Sequence, residues 1–273
     1  MEREEQLRIL AFGAHPDDCD ATCGGTAALW ARAGHVVQFV SVTNGDAGHH
    51  EIGGAPLAWR RRAEAEAAGK VIGISYLVLD HHDGELEPSL ANRREIIGLI
   101  RDFRPHLILS PRPYDYHPDH RYTALLIQDA AYMVTVPNIV AHHAHLPANP
   151  VICYVRDHFL KPVPFRPDVA VIIDEVIELK WDMLHCHTSQ MYEWLPYNGG
   201  YLSEVPTADG DRRRWLVQRR AGRDRAIADN YRDLLISRYG RDRGQTAQYA
   251  EAFEVSEYGA PLTPTLQERL FPR

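Results

Sequence analysis

Residues 7–18 read Leu-Arg-Ile-Leu-Ala-Phe-Gly-Ala-His-Pro-Asp-Asp: an apolar run of strand length that ends at a glycine and passes directly into an imidazole, a stiff proline and two carboxylates. A buried strand that delivers polar groups at its carboxyl end is the unit from which open α/β sheets are made, and in such sheets ligands bind beyond those ends. The unit recurs. Val36–Thr43 (VVQFVSVT) reads as a second strand and runs into the Gly-rich loop Asn44–Gly54; Tyr76–Leu79 reads as a short third strand and Leu107–Leu109 (LIL) as the core of a fourth. Between them, segments of helical period predict helices over Gly24–Gly34, about Leu57–Ile72 and Leu90–Phe103, with another from Pro118 or Asp119 to about Met133, where a proline and an acid mark the first turn. The fold class is therefore α/β, a Rossmann-like, mostly parallel sheet flanked by helices. A polar cluster follows every strand, at His15–Asp18, Asn44–Asp46, Asp80–Asp83 and His117–His120, so the clusters should converge on one rim.

The rhythm changes after residue 135. Val151–Arg156 and Val169–Ile173 read as further strands, Glu175–Gln190 as a helix, Met191–Asp211 as a long ordered loop, Arg212–Arg238 as a helix and Ala252–Val255 as a last strand. The chain is expected to be a single domain over residues 1–273, with residues 1–135 as core and residues 136–273 as an extension completing the active-site rim. Its 273 residues are 45% hydrophobic and 25% charged, enough to bury a full core. A formal charge of −7 disfavours a nucleic-acid surface, and the arginine run Arg212–Arg214, Arg219, Arg220, Arg223 and Arg225, interleaved with acids, reads as a solvated helix face. The start Met-Glu-Arg-Glu-Glu-Gln lacks a signal-peptide pattern, and no apolar run approaches the roughly 20 residues of a membrane span. A cytoplasmic location is expected, and a homo-oligomer is left open. Cys19, Cys23, Cys153 and Cys186 are too few and scattered for a disulfide framework; the Cys19/Cys23 pair sits in what reads as a loop entering a helix, and buried thiols are expected.

Imidazole nitrogen and carboxylate oxygen are both good zinc ligands, and a catalytic zinc commonly keeps three protein ligands and one open position for water. The string Ala14-His15-Pro16-Asp17-Asp18 offers two ligands and leaves a second acid free as general base. His117-Pro118-Asp119-His120 offers two imidazoles one helical turn apart: one to ligate, the other to face the reacting carbonyl, with Asp119 or Asp115 fixing its tautomer.

Taken together, these strings identify a resemblance to the LmbE-like (PIG-L) zinc N-deacetylases. It is carried by AHPDD (14–18), CGGT (23–26), Asn44-Gly45-Asp46, Arg61-x-x-Glu64, Asp83-Gly84, Arg104-Pro105, Asp115-Tyr116 before HPDH (117–120), Lys180, and His187-Thr188-Ser189-Gln190. The resemblance implies one Zn2+ per chain on His15, Asp18 and His120, with Asp17 as general base and His117 stabilising or protonating the tetrahedral intermediate. Asp119 joins them as a candidate catalytic group. The expected partner is a small N-acetylated amino sugar or its conjugate, of N-acetylglucosamine type, cleaved to acetate and a free amine. Many members carry an acid directly after the second Asp; this chain has Cys19 there and an acid only at Asp20.

Several positions keep two readings. Arg61 is a sugar contact or half of a surface pair with Glu64; Asp46 and Asp83 are acceptors for sugar hydroxyls or solvated loop acids; His187 lines the pocket or is a buried, satisfied histidine. The aromatics of Met191–Leu202 suit a sugar-stacking lid and suit packing as well. His142, His143 and His145 have no acid beside them in sequence and read as an exposed loop. Two rival functions are weaker. A two-metal phosphoesterase needs a second carboxylate-rich site to which only Asp46 and Asp83 could contribute, and a dinucleotide-binding module needs glycines that the turn Gly13–Asp18 lacks.

Overall fold

The computed structural model describes residues 6–273. Within them β1 (Arg8–Gly13), β2 (Val36–Thr43), β3 (Ser75–His81), β4 (Leu107–Ser110), β5 (Val151–Val155), β6 (Val169–Ile172) and β7 (Ala250–Val255) form one sheet in the order β3-β2-β1-β4-β5-β7-β6. Neighbours among β1–β5 pair in parallel, and β7 lies antiparallel between β5 and β6. The α/β class and mostly parallel sheet are as the sequence implied.

Helices α1 (Asp18–Arg32), α2 (Ala55–Ile72), α3 (Leu90–Phe103) and α4 (Pro118–Met133) follow the first four strands. Because side chains alternate along a strand, Ile9 and Ala11 of β1 pack with Cys23, Ala27 and Trp30 of α1, while Leu10 and Phe12 pack with Ile96 and Ile100 of α3 and Leu126 and Ile127 of α4. Both faces are covered, which is why the strands read as continuous apolar runs. β1 has β2 on one side and the parallel β4 on the other, so the order in which strands are added to the sheet reverses between β1 and β4, and the crevice beyond their carboxyl ends is where such a sheet places its ligand. His15 and His117 each follow within a few residues of one of these two ends.

The structure differs from the sequence reading in four places. Helix α1 starts at Asp18, six residues before Gly24, so Cys19 and Cys23 are not in a loop; they lie one turn apart on a buried helix face, their thiols bonded to the carbonyls of Ala11 and Cys19. The low helix propensity of Gly24-Gly25 conceals this. Tertiary packing requires a glycine there, since a Cβ on Gly25 would stand 2.8 Å from Cδ1 of Ile173. The expected helix Glu175–Gln190 is a short 3-10 turn followed by α5 (Ile177–Cys186), ending at His187. The first part of the expected long loop is helical: a π-helical turn Ser189–Trp194 and α6 (Leu195–Asn198), anchored by buried Met191 and Tyr192. The expected helix Arg212–Arg238 is two, α7 (Asp209–Asn230) and α8 (Arg232–Tyr239), and two short helices, α9 (Arg241–Thr246) and α10 (Pro264–Leu270), were not foreseen.

Besides the β4–β5 pairing, one buried carboxylate ties the later residues to the N-terminal half. Glu251 of β7, fully buried, accepts from the backbone amides of Gly25 (3.0 Å) and Thr26 (2.7 Å), from Thr26 Oγ1 (2.6 Å) and from Lys180 Nζ (2.7 Å). β7, α5 and α1 are thereby held together, and α1 carries Asp18 at its first position. Among the described residues no helix is long and apolar enough to cross a membrane.

Candidate metal centre and active site

Three donor atoms meet beyond β1 and β4. His15 Nδ1 stands 3.2 Å from His120 Nε2 and 3.6 Å from Asp18 Oδ2, and His120 Nε2 stands 3.3 Å from Asp18 Oδ2. A tetrahedral ion with metal–ligand bonds of about 2.0–2.1 Å separates its ligands by about 3.3 Å, so the triangle has the required size. The ring nitrogens turned away from it have carboxylate partners: His15 Nε2 lies 3.2 Å from Asp119 Oδ2 and 3.1 Å from Asp83 Oδ1, and His120 Nδ1 lies 3.1 Å from Asp115 Oδ2. If those outer nitrogens carry the protons, the inner two present lone pairs to each other, an arrangement that a metal ion, or a further proton on His120, relieves.

A second group, His15, Asp83, His117 and Asp119, also brings its donor atoms close together. There, however, Asp119 is fully buried and accepts from the amides of Gly84 (2.7 Å) and Leu86 (3.3 Å), and Nδ1 of His117 accepts from the amide of Asp119 (3.2 Å). Those bonds engage the lone pairs that a metal would need. His117 is thus the N-cap of α4, and capping through Nδ1 leaves its Nε2 to carry the proton.

Electrostatics at the triangle favour positive charge. Burial opposes charging His120, but Asp18 and then Asp115 outweigh it and push its pKa up to about 10. Asp18 is held well below the usual carboxylate range by His120 and His15, against burial. Asp17 behaves differently from its neighbour: burial pushes it up to about 6, with Arg61 opposing and the charge of Asp18 adding to the rise. His117 is held below its ordinary value by burial and then by the charge on His15.

Asp17 occupies a backbone conformation that side chains rarely adopt, with φ of 130°, and its carboxylate makes no capping bond to α1. Its amide donates to the hydroxyl of Tyr76 (3.1 Å), which in turn donates to Asp20 Oδ2 (3.0 Å), where Nε2 of His187 also lies (3.1 Å). The carboxylate side is braced by Arg61, whose guanidinium is 3.4 Å from Asp17 Oδ1 and donates to the carbonyls of Pro16 (2.9 Å) and Gly45 (3.2 Å). Gly45 has to be glycine: its φ is +71° and a Cβ would stand 2.2 Å from Arg61 Nη1.

Arg61 is only 2% exposed, so it is not on the surface and does not pair with Glu64; Arg60 does, at 3.2 Å, while Glu64 also accepts from Ser189 and Thr188. His187 and Asp20 are both fully buried. Asp46 accepts from the Asp83 amide (3.0 Å) and lies 2.6 Å from His82 Nδ1, and Asp83 reaches both His15 and Arg61. His142 and His145 are exposed, but His143 meets an acid that is remote in sequence, Asp102, at 2.6 Å. In the π-turn and α6 segment, Arg60 grips Glu193 through two contacts (2.6 and 2.7 Å), and Tyr197 stacks on His50 at 4.0 Å. The residues the sequence did not single out are Tyr76 and Arg60. Neither stands at the carboxyl end of a strand or in a motif string, and only their partners reveal them.

A doubly wound α/β sheet with a His–Asp–His triangle at its switch point and a free carboxylate beside it has the architecture of an α/β metallohydrolase. The family described as PIG-L, GlcNAc-PI de-N-acetylase, matches residues 10–131. The diacetylchitobiose deacetylase of Thermococcus kodakarensis is 31% identical over 205 residues, 70% of this chain and 74% of that protein. The 4-oxalmesaconate hydratase of Pseudomonas putida is 26% identical over 202 residues, 70% of this chain and 77% of that protein. The N,N'-diacetylchitobiose deacetylase of Pyrococcus horikoshii shares the fold, with a TM-score of 0.71 at 23% identity over 93% of this chain and 85% of that one. The chain belongs to the PIG-L (LmbE-like) family of N-deacetylases and is a hydrolase of that class.

Proposed function

We propose that the chain removes the N-acetyl group from an amino sugar or amino-sugar conjugate of N-acetylglucosamine type, with one zinc ion held by His15, Asp18 and His120. The observation that carries this reading is the triangle of donor atoms 3.2–3.6 Å apart, with the braced but uncoordinated carboxylate of Asp17 next to it. Two imidazoles and one carboxylate form a donor set that suits zinc. When bound, the ion supplies Lewis-acid polarisation of the acyl carbonyl and lowers the pKa of water at its open position.

In this reading Asp17 takes a proton from the attacking water and returns it to the departing amine. His117 donates from Nε2 to the acyl oxygen as negative charge develops there. Asp115 and Asp119 are positioning residues that hold the tautomers of His120 and His15. Arg61 and Asp83 shape the sugar side of the site; Asp46 acts through Asp83, and His187, which has no exposed surface, acts through Asp20 and Tyr76. The reading takes the whole chain as one unit, since β5, β7 and β6 continue the sheet that carries the metal ligands.

The test is amine release from N-acetylglucosamine, N,N'-diacetylchitobiose and N-acetylglucosaminyl-inositol by zinc-loaded protein and its Asp17→Asn variant. Release by the wild type and its loss in the variant is the expected result. Equal rates in the two proteins, or no acetate from any member of the panel, would overturn the reading.

A further inference from the structure

A cavity of about 220 Å³ lies against the ligand side chains Asp18 and His120 and is closed on its far side by the end of β5 and by α7. Ligand pockets begin at roughly 300 Å³, so this one suits a terminal group of a larger molecule. Its wall carries carboxylates and arginines in unequal states. The carboxylates are committed: Asp18 and Asp115 to the metal histidines, Asp157 to Arg112 at 3.0 Å, and Asp224 to the Trp181 indole at 2.9 Å.

Of the arginines, Arg112 is committed too, to Asp157 and Glu254, but the other three are not. Arg220 of α7 has a buried Nε without an acceptor, and its guanidinium comes only to 4.0 Å from Asp224. Arg223, on the same helix face at i+3, and Arg156, just past β5, form no ion pair with any described residue. The charges of both act on His158, whose imidazole is held below its ordinary range by burial and then by these two charges. The other arginines of the α7 run have partners elsewhere: Arg212 donates to the Pro206 carbonyl, Arg213, Arg214 and Arg219 pair with Asp182, Asp211 and Glu204, and Arg225 reaches Gln248. These five lie outside the cavity, whereas Arg220, half-buried, and Arg223, exposed at its rim, line it.

A guanidinium with an unmet donor, flanked by two cations without counter-ions, is matched by the planar oxygens of a carboxylate or phosphate. We propose that this cavity binds an anionic group of the substrate, a carboxylate or a phosphate, through Arg220 and Arg223 with Arg156 at the wall, while the acylamino group lies at the metal ligands. The proposal deepens the deacetylase reading and rests on it for the reaction, but not for the binding.

Two measurements separate the two. Zinc-loaded protein is given N-acetylglucosamine, its 1- and 6-phosphates and N-acetylmuramic acid. One anionic substrate should exceed the neutral sugar in kcat/KM by about tenfold or more, the phosphate and carboxylate arms deciding between the two groups. Arg223→Glu and Arg220→Gln should collapse that ratio, and Arg225→Gln, on the same helix but outside the cavity, should preserve it. Calorimetric binding of glucosamine, its phosphates and muramic acid needs no turnover. Tighter binding of an anionic ligand that Arg223→Glu abolishes supports the site even if no acetate is ever released, which would count against the deacetylase reading alone. Equal binding and equal kcat/KM for charged and neutral compounds, unmoved by Arg223→Glu, would overturn the anion site and leave the deacetylase reading standing.

Discussion

The two walls of the crevice are built differently. On the side formed by the ends of β1 to β4, the polar groups are bonded to one another: His15 to Asp119 and Asp83, His120 to Asp115, Asp17 to Tyr76 and Arg61, Asp46 to His82. On the side formed by the end of β5 and α7, Arg156 and Arg223 have no ion-pair partner among the described residues; Arg220 and Arg61 each keep a buried Nε without an acceptor, but the rest of the Arg61 guanidinium is bonded, while that of Arg220 comes only to 4.0 Å from Asp224. Groups that must hold a geometry before anything binds are satisfied by the protein, because a loose ligand or base forfeits preorganisation. Groups left without a protein partner are free to meet something from outside, and for the buried Nε of Arg220 the desolvation is compensated only when it arrives.

The strongest challenge to this contrast is at the satisfied wall. Asp17→Asn keeps the size and the backbone contacts but removes the base, so kcat should fall by about 10²–10⁴-fold while metal content, read by atomic absorption, stays at the wild-type level. Loss of metal in this variant would mean that Asp17 is a ligand and that the division of roles with Asp18 is wrong.

Next in size is the joint between the walls. Lys180→Met leaves Glu251 without its cation in a fully buried position, and removing one partner of such a pair costs about 3–5 kcal/mol. Urea unfolding should show this loss. A cost below about 1 kcal/mol would show that the amides of Gly25 and Thr26 alone neutralise Glu251, since that is the scale of a single net hydrogen bond.

A smaller effect is expected from Tyr76→Phe, which deletes the hydroxyl linking the amide of Asp17 to Asp20. The unsatisfied amide should cost about 1–3 kcal/mol of stability and lower kcat without changing metal content. A variant with wild-type kcat would show that the unusual backbone of Asp17 is held by its other neighbours. The smallest effect is Arg60→Ala. Its pairs with Glu193 and Glu64 are partly exposed, and exposed pairs contribute about 0.2–1 kcal/mol. A larger loss, or a rise in KM beyond the experimental scatter, would mean that the π-turn segment depends on this grip to shape the site.

The convergence of the His15–Asp18 and His117–His120 strings was legible because they obey a local rule: each follows an apolar strand, and strand ends on both sides of a switch point converge. The supporting network was not, because its bonds join residues far apart in the chain. Tyr76 and Asp20 are 56 positions apart, His187 and Asp20 are 167, and Glu251 and Thr26 are 225. Local propensity also misled where packing overrode it. Gly24-Gly25 looked like the edge of a helix and lies inside one, because the close approach of Ile173 leaves no room for a side chain. Arginines of α7 with the same local character divide between surface pairs and the cavity, and no spacing within the run distinguishes them.

By itself, the sequence determined the α/β class, the alternation of strand and helix through Met133, and the gathering of the His15–Asp18 and His117–His120 strings beyond the strand ends, while the choice of His15, Asp18 and His120 within those strings came from the family resemblance. The class, the alternation and the gathering follow from hydrophobic period and strand-end placement, which act over a few residues. Only the tertiary structure decided that Asp115 stands against His120 and Asp119 against His15, that Arg61 is buried against Asp17, and that Arg220 and Arg223 line a cavity with Asp18 and His120. Each of those depends on which surfaces of distant segments are pressed together, and burial and charge pairing act through space without leaving a local pattern.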